Sequence, residues 1–256
     1  MNHILTLLRA NWNVKVAQTY YATELDPNTV TSSIISYTNA LIQIPALSEV
    51  ETYQIDLTLS EDELFRNLKK SNRNQINQAA SKTFTHIIDT QPSNTDLLLF
   101  QQFYNEFAKK KHTYKCKAYH LKTMKLLRDQ HALVLTKILS NQGELYAYRI
   151  YLTDRIRAYT LYSASHFRRN VLPETKRLSS LASRYLMWKN ILWFKQTGHG
   201  IYDLGNLTED ENIRQFKMGF GGKIVKAYSG YVSTNRTGKF VLWLRKLKMN
   251  SHKKNR

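Results

Sequence analysis

A chain of 256 residues with 42% apolar side chains, nine glycines and four prolines holds enough core-forming material for one large domain, or a domain with a substantial extension. That excludes bulk disorder, repeat arrays and low-complexity architecture. Thirty-eight lysines and arginines against 19 acidic residues leave a formal charge of +19, a field that favours nucleic acid, acidic lipid headgroups or phosphorylated small molecules.

The first 58 residues read as strand material, ending in "VETYQIDLTL", where Tyr53, Ile55, Leu57 and Leu59 alternate as in a half-buried strand. The opening "MNHILTLLRANWN" is interrupted by Arg9 and is too short in apolar run for a secretory leader or a membrane span, so a cytoplasmic location is expected. Ser60 and Glu63 form a capping box that predicts a helix over about 61–79 carrying Lys69, Lys70 and Arg73. "KTFTHIID" reads as a strand. Ser93 caps a helix whose last turn, "AKKK", suits the negative end of the helix dipole. A shorter helix near 120–129 precedes three strands, "HALVLTKIL", "ELYAYRIYL" and "RIRAYTLYSA", joined by connections short enough for antiparallel hairpins.

From Lys176 the apolar period becomes helical through Leu178, Leu181, Tyr185, Trp188 and Leu192, and Gly198 ends the segment. The strand "GIYDLG" follows, then a helix opened by Thr208 and Glu211, the turn "KMGFGG" and the strand "KIVKAYSGYV". Strand, helix and strand in this order predict one parallel join, 156–164 beside 200–204, in an otherwise antiparallel sheet. Ligands of open sheets sit beyond the carboxyl ends of strands at such a join, where the next helix offers free N–H groups to an anion. From Arg236 to Arg256 there are eight lysines and arginines and no carboxylate. This end is a solvated basic tail, or, through "KFVLWLRKLK", an amphipathic helix making peripheral contact with an anionic membrane or a partner.

The element order resembles that of the GNAT acyltransferases, and "NIRQFKMGFGG" resembles the late helix and turn of that superfamily. The Fem-type branch is the nearer likeness. "LFRNLKKSNRNQINQA" is similar to its basic helix, and "GIYDLGN" followed by "IRQFKMGFGG" is similar to its Tyr/Phe-Asp-x-Gly and Phe-Lys-x-x-Phe-Gly signatures, all within about residues 60–232. The resemblance implies an α/β (α+β) GNAT-like mixed twisted sheet with helices on both faces. It divides the sequence into an N-terminal strand and helix extension over 1–80, an acyltransferase core over 81–235 and the basic tail over 236–256. It implies transfer of an activated acyl group to an amine, from acyl-CoA in most GNAT members and from aminoacyl-tRNA, onto a UDP-linked muropeptide, in the Fem ligases. Because the length accommodates one module plus an extension, the leading expectation is transfer from acyl-CoA to the amino group of a dTDP- or UDP-linked deoxyamino sugar for surface polysaccharide. The alternatives are the tRNA-dependent reaction on a UDP-linked cell-wall precursor and a non-catalytic binder of nucleic acid or a membrane surface.

Amine acyl transfer needs a neutral amine, donors for the tetrahedral oxyanion and an acid for the leaving group. Asp203 orients or deprotonates the amine, or caps the turn that follows. His166 has the intrinsic pKa of a proton shuttle, or is an ordinary surface histidine. Tyr162 donates to a leaving thiolate, or packs. Backbone groups of Tyr162, Ser163 and Ala164 are expected to contact the acyl donor. Residues 167–180 lack the glycines of the GNAT pyrophosphate loop, so Arg168, Arg169, Lys176 and Arg177, with Ser179, are expected to hold the phosphates. Lys70, Arg73 and Asn206 are the expected contacts to the nucleotide substrate. Lys217 resembles the family lysine placed against phosphate or oxyanion. The tyrosine that serves many GNAT members as general acid is replaced by Gln215. No His-x-x-x-His pair, Walker loop, dinucleotide fingerprint or nucleophile elbow is present, so no metal is expected.

Overall fold

The computed structural model describes residues 5–11, 14–25, 29, 31–165 and 173–254. They form two compact units, Met1–Thr52 with Val225–Arg256, and Tyr53–Ile224. The sequence divisions at residues 80 and 235 separate segments by pattern, whereas these units separate them by packing.

In the first unit β1 (Leu5–Asn11) and β2 (Val14–Tyr20) are antiparallel, and β2 lies parallel to β3 (Ile34–Ala40). This is a second parallel pairing, which the weak pattern of the N-terminal segment does not reveal. Strand β4 (Leu47–Asp56) carries the chain into the second unit, and β10 (Lys223–Ser233) returns it to pair antiparallel with β3. The strand order here is β1-β2-β3-β10-β4. Its core is small, built from Ala17, Ala22, Ile35, Tyr37 and Ala40. The basic end of the chain is a 19-residue helix, α7 (Arg236–Lys254).

In the second unit the capping box at Ser60 starts α1 (Glu61–Asn67), but the expected single helix is two. Leu68 turns extended, at φ −62° and ψ 145°, before α2 (Lys70–Ala80). Tertiary contacts make this break: the Lys69 N–H donates to the Gly219 carbonyl, and Arg73 Nη1 donates to the Arg66 and Leu68 carbonyls left free at the end of α1. Then come β5 (Thr85–Asp89), α3 (Asn94–Lys111), α4 (Ala118–Asp129), β6 (Leu133–Leu139), β7 (Leu145–Thr153), β8 (Arg157–Ser165), α5 (Pro173–Gln196), β9 (Ile201–Asn206) and α6 (Glu211–Met218). Strands β5 to β8 are successively antiparallel, and β8 pairs parallel with β9 through Arg157, Ala158 and Tyr159, as the crossover pattern predicts. The strand order is β4-β9-β8-β7-β6-β5. The cap of α6 is Asp210, which accepts from Asn212 N and Ile213 N; the expected Thr208 and Glu211 pair is displaced by a carboxylate closer to the first turn.

Because strand side chains alternate in direction, β7 sends Tyr148 to the α3 face, against Phe100 and Phe103, and Tyr151 to the α5 face, against Phe194. Helices therefore cover both faces of this sheet. The main core joins Tyr53, Ile55 and Leu57 to Leu64, Ile76, Trp188, Phe194, Tyr202 and Phe220.

Candidate active site

The turn after α6 is seated by backbone approaches that leave no room for side chains. A Cβ at Gly221, where φ is +76°, would stand 2.5 Å from the Asn67 carbonyl oxygen, and one at Gly219 would stand 2.5 Å from Asn72 Nδ2. Asn72, buried on α2, donates to the Gly219 carbonyl (2.9 Å) and accepts from Arg184 Nε (3.0 Å). One amide thus ties α2, α5 and the turn together. With the turn fixed, α6 directs Lys217 back to the end of β9, where its ammonium donates to the carbonyls of Asn206 (2.7 Å) and Gly205 (3.2 Å).

Burial pushes the Lys217 amine down to about 8; Asp203 opposes this and Arg149 adds to it. Asp203 is fully buried on β9, accepting from Gln54 Nε2 (2.9 Å) and from the Gly205 N–H (2.7 Å). It stands near Lys217 as a counter-charge and closes the turn below it.

Two further cations meet here. Arg149 on β7 is only 2% exposed. Its Nη1 donates to Ser163 Oγ (2.8 Å), and Nη2 makes long contacts to the carbonyl and hydroxyl of Ser183 (3.4 Å each), while Nε has no partner among the described residues. Arg184 donates to Ser180 Oγ (2.7 Å) as well as to Asn72, and burial lowers its pKa. Both guanidiniums stand over the Phe216 ring, at 5.9 and 5.3 Å from its centroid. The Asn206 Oδ1, beside the carbonyl that receives Lys217, is likewise buried and without a partner among the described residues.

The structure gathers some expected residues and disperses others. Lys217, Asp203 and Asn206 lie together at the end of β9, and Ser163 accepts from Arg149, which is within electrostatic reach of Lys217. Tyr162 is on the opposite face of β8, its ring packed on Tyr104 (5.2 Å) and Phe100 (5.7 Å), and Ala164 is buried. Lys176 and Arg177 are exposed on the first turn of α5, where Arg177 donates to Gln78; Ser179 is buried below them. Lys70 is exposed on α2, and Arg73 is engaged with the end of α1 as described. Lys69 Nζ donates to Gln215 Oε1 (2.7 Å), so the residue standing where an acid was expected anchors the basic helix. His166, Arg168 and Arg169 lie outside the described residues. Among those described, no three His, Cys, Asp or Glu side chains come together as a metal site.

Arg149, Arg184 and Asn72 escaped the sequence reading. Arg149 had a signal: it is the one charge inside the apolar run "LYAYRIYL".

No family model matches the chain, and no curated protein matches it in sequence. Its fold is that of FemX. The similarity to that structure covers 88% of this chain and 83% of FemX at 10% identity, with a TM-score of 0.62. The structure of L-PGS from Bacillus licheniformis is similar over 91% of this chain and 82% of its own, at 12% identity and a TM-score of 0.55. The C-terminal domain of a protein named as a lysylphosphatidylglycerol synthetase, from Agrobacterium fabrum, is similar over 94% and 87%, at 11% identity and 0.53. The chain therefore shares the fold of these three structures.

Proposed function

We propose that this chain is an N-acyltransferase that passes an aminoacyl group from aminoacyl-tRNA to the amine of a UDP-linked cell-wall precursor in the cytoplasm. The observation that carries the reading is that Arg149 and Arg184 both stand over the Phe216 ring, next in sequence to Lys217, whose ammonium lies at the carboxyl end of β9 within electrostatic reach of Arg149. A buried guanidinium with an unused N–H beside a depressed lysine is unfavourable unless an anion or a developing oxyanion completes it. In this reading the neutral acceptor amine attacks the ester carbonyl, the tetrahedral oxygen takes its charge against the Lys217 ammonium, and the bond to the carrier's ribose oxygen breaks as the proton lost by the attacking nitrogen passes to that oxygen. Arg149 and Arg184 hold the phosphates that flank the ester. Asp203 keeps Lys217 charged in its buried position.

The donor is chosen on two grounds. The chain spans most of FemX, so its length, which favours a CoA-dependent single module when read from sequence, no longer weighs against a Fem-type reaction. A formal charge of +19 also suits a polynucleotide carrier better than a small thioester. The second reading, acyl-CoA to a nucleotide-linked amino sugar, draws on the parallel join of β8 and β9 through α5, which carries Lys176 and Arg177 near its start.

A donor panel separates them. Purified protein is offered charged tRNA or acyl-CoA, each with UDP-linked muropeptide or with dTDP- and UDP-linked amino sugars, and product is read by mass. Transfer only from charged tRNA is the expected result; thiol release from a CoA ester with an amino-sugar nucleotide transfers the assignment to the second reading. With either donor, Lys217→Met is expected to lower transfer at least about tenfold, corresponding to about 1.4 kcal/mol of transition-state stabilisation. Unchanged turnover by a folded variant would remove Lys217 from the mechanism.

A further inference from the structure

Helix α7 is inside out by the usual rule for a surface helix. At 3.6 residues per turn, Gly238, Val241, Leu242 and Arg245 share the side that faces the first unit. Gly238 is buried against the Ser33 backbone, Val241 and Leu242 are half-buried, and Arg245 stacks over the Tyr231 ring at 3.8 Å. Asn235 Oδ1 accepts from the Gly238 N–H (2.9 Å) and fixes the first turn. The opposite side carries Phe240, Trp243, Leu244 and Leu247, the i, i+3, i+4, i+7 series, at 58%, 54%, 45% and 48% exposure. Phe240 and Trp243 are stacked, with centroids 5.8 Å apart, so two large rings form one flat apolar plate. Lys239 and Lys246 flank the strip on one side, both exposed, and the sequence from 236 to 256 supplies no carboxylate.

We infer that this face of α7 docks on an anionic lipid bilayer, lying in the interface plane with the aromatic and leucine strip in the acyl boundary and the lysines among the headgroups. The chemistry of the strip selects this occupant. A second copy of this chain would bring the same uncompensated cations to the contact. Nucleic acid would satisfy the cations and could stack on two rings, yet it offers Leu244 and Leu247 no apolar surface. Hydrocarbon below an anionic headgroup layer satisfies all of them. The helix rides on the surface: among the described residues no helix is long and apolar enough to cross a membrane.

The test uses the full chain and flotation with phosphatidylcholine vesicles, with and without phosphatidylglycerol. Binding is expected only when phosphatidylglycerol is present, and the Phe240→Ser, Trp243→Ser double variant is expected to bind at least about tenfold more weakly. Because both side chains point to solvent, the variant should keep its circular dichroism spectrum. A Lys239→Gln, Lys246→Gln variant should lose binding to anionic vesicles while retaining the apolar strip. Vesicle binding that is the same in the serine variant would show that charge elsewhere does the work and would overturn the assignment. So would absence of vesicle binding together with a dimer, or an RNA complex, that the serine substitutions dissolve.

Discussion

Two polar groups lie on the same face of one sheet, under the same helix, and they differ in whether they are complete. Around Asn190, every partner is protein. Its amide donates to Thr136 Oγ1 (2.9 Å) and Tyr151 Oη (2.8 Å), its carbonyl meets His86 Nε2 (2.9 Å), Tyr151 and Tyr202 share a hydroxyl bond of 2.7 Å, and Tyr202 reaches the Met187 sulfur. Two residues along β7, Arg149 points the same way into a group of three cations with Asp203 as counter-charge, and its Nε is without a partner among the described residues. The first arrangement is neutral and closed, the mark of a network that specifies packing. The second is charged and open, and its protein partners alone do not repay the desolvation of a buried cation.

The difference predicts opposite responses to apolar replacement. Asn190→Leu removes a partner from the buried Thr136 and Tyr151 and from the half-buried His86, and should destabilise the protein by about 3 kcal/mol, given a penalty of roughly 1–3 kcal/mol for each buried group left unsatisfied. Urea melts measure this, and transfer per folded molecule should be near normal. If the variant is as stable as the parent, the network is not the closed unit described.

Arg149→Met should do the reverse. Removing a buried cation that has no carboxylate partner among the described residues is expected to leave stability unchanged or raise it by about 1 kcal/mol, while kcat/KM falls roughly tenfold through weaker donor binding, in line with the loss of one charge-assisted hydrogen bond. A large loss of stability with normal kcat/KM would make Arg149 a structural residue and remove the main support for an anion at this place.

Much of this was legible before any coordinates. The strand and helix order from Ser60 onward, the parallel β8 and β9 join, the ends marked by Ser60, Ser93 and Gly198, and the placement of Lys217 at the carboxyl end of β9 all follow from period, caps and a family-like motif. What escaped depends on contacts distant in sequence. Nothing local says that Leu68 breaks a helix, because the break is made by Gly219 bonding Lys69 and by Arg73 folding back. Gln215 looked like a missing acid and proves to be a tether for Lys69. Tyr162 looked like an acid on a strand end, but the two-residue alternation places it on the α3 face, away from Arg149. Arg149 could have been found from the sequence alone, as a lone charge at an inward position of a buried strand.

A pH titration sharpens the comparison most, because it addresses the open group directly. Folding carries Lys217 from its ordinary value of 10.5 down to about 8. Below about pH 8 the amine is protonated in both folded and unfolded chains, and burying that charge costs about 3 kcal/mol by the usual conversion of a pKa shift. Between about 8 and 10.5 the unfolded chain binds the proton and the folded chain does not, so this group's contribution to stability becomes more favourable as pH rises through that window. The closed network responds in the opposite sense at the top of this window: burial raises the Tyr151 and Tyr202 hydroxyls, so the folded chain keeps protons that the unfolded chain begins to release near pH 10. Activity should move the other way. If the ammonium serves the oxyanion, kcat/KM falls above about pH 8 even as the fold gains stability, and Lys217→Met lacks both the fall and the gain. A rate that climbs through pH 8 in the parent but not in Lys217→Met would mean that the neutral Lys217 amine is the working form, making it a base and leaving the oxyanion to Arg149.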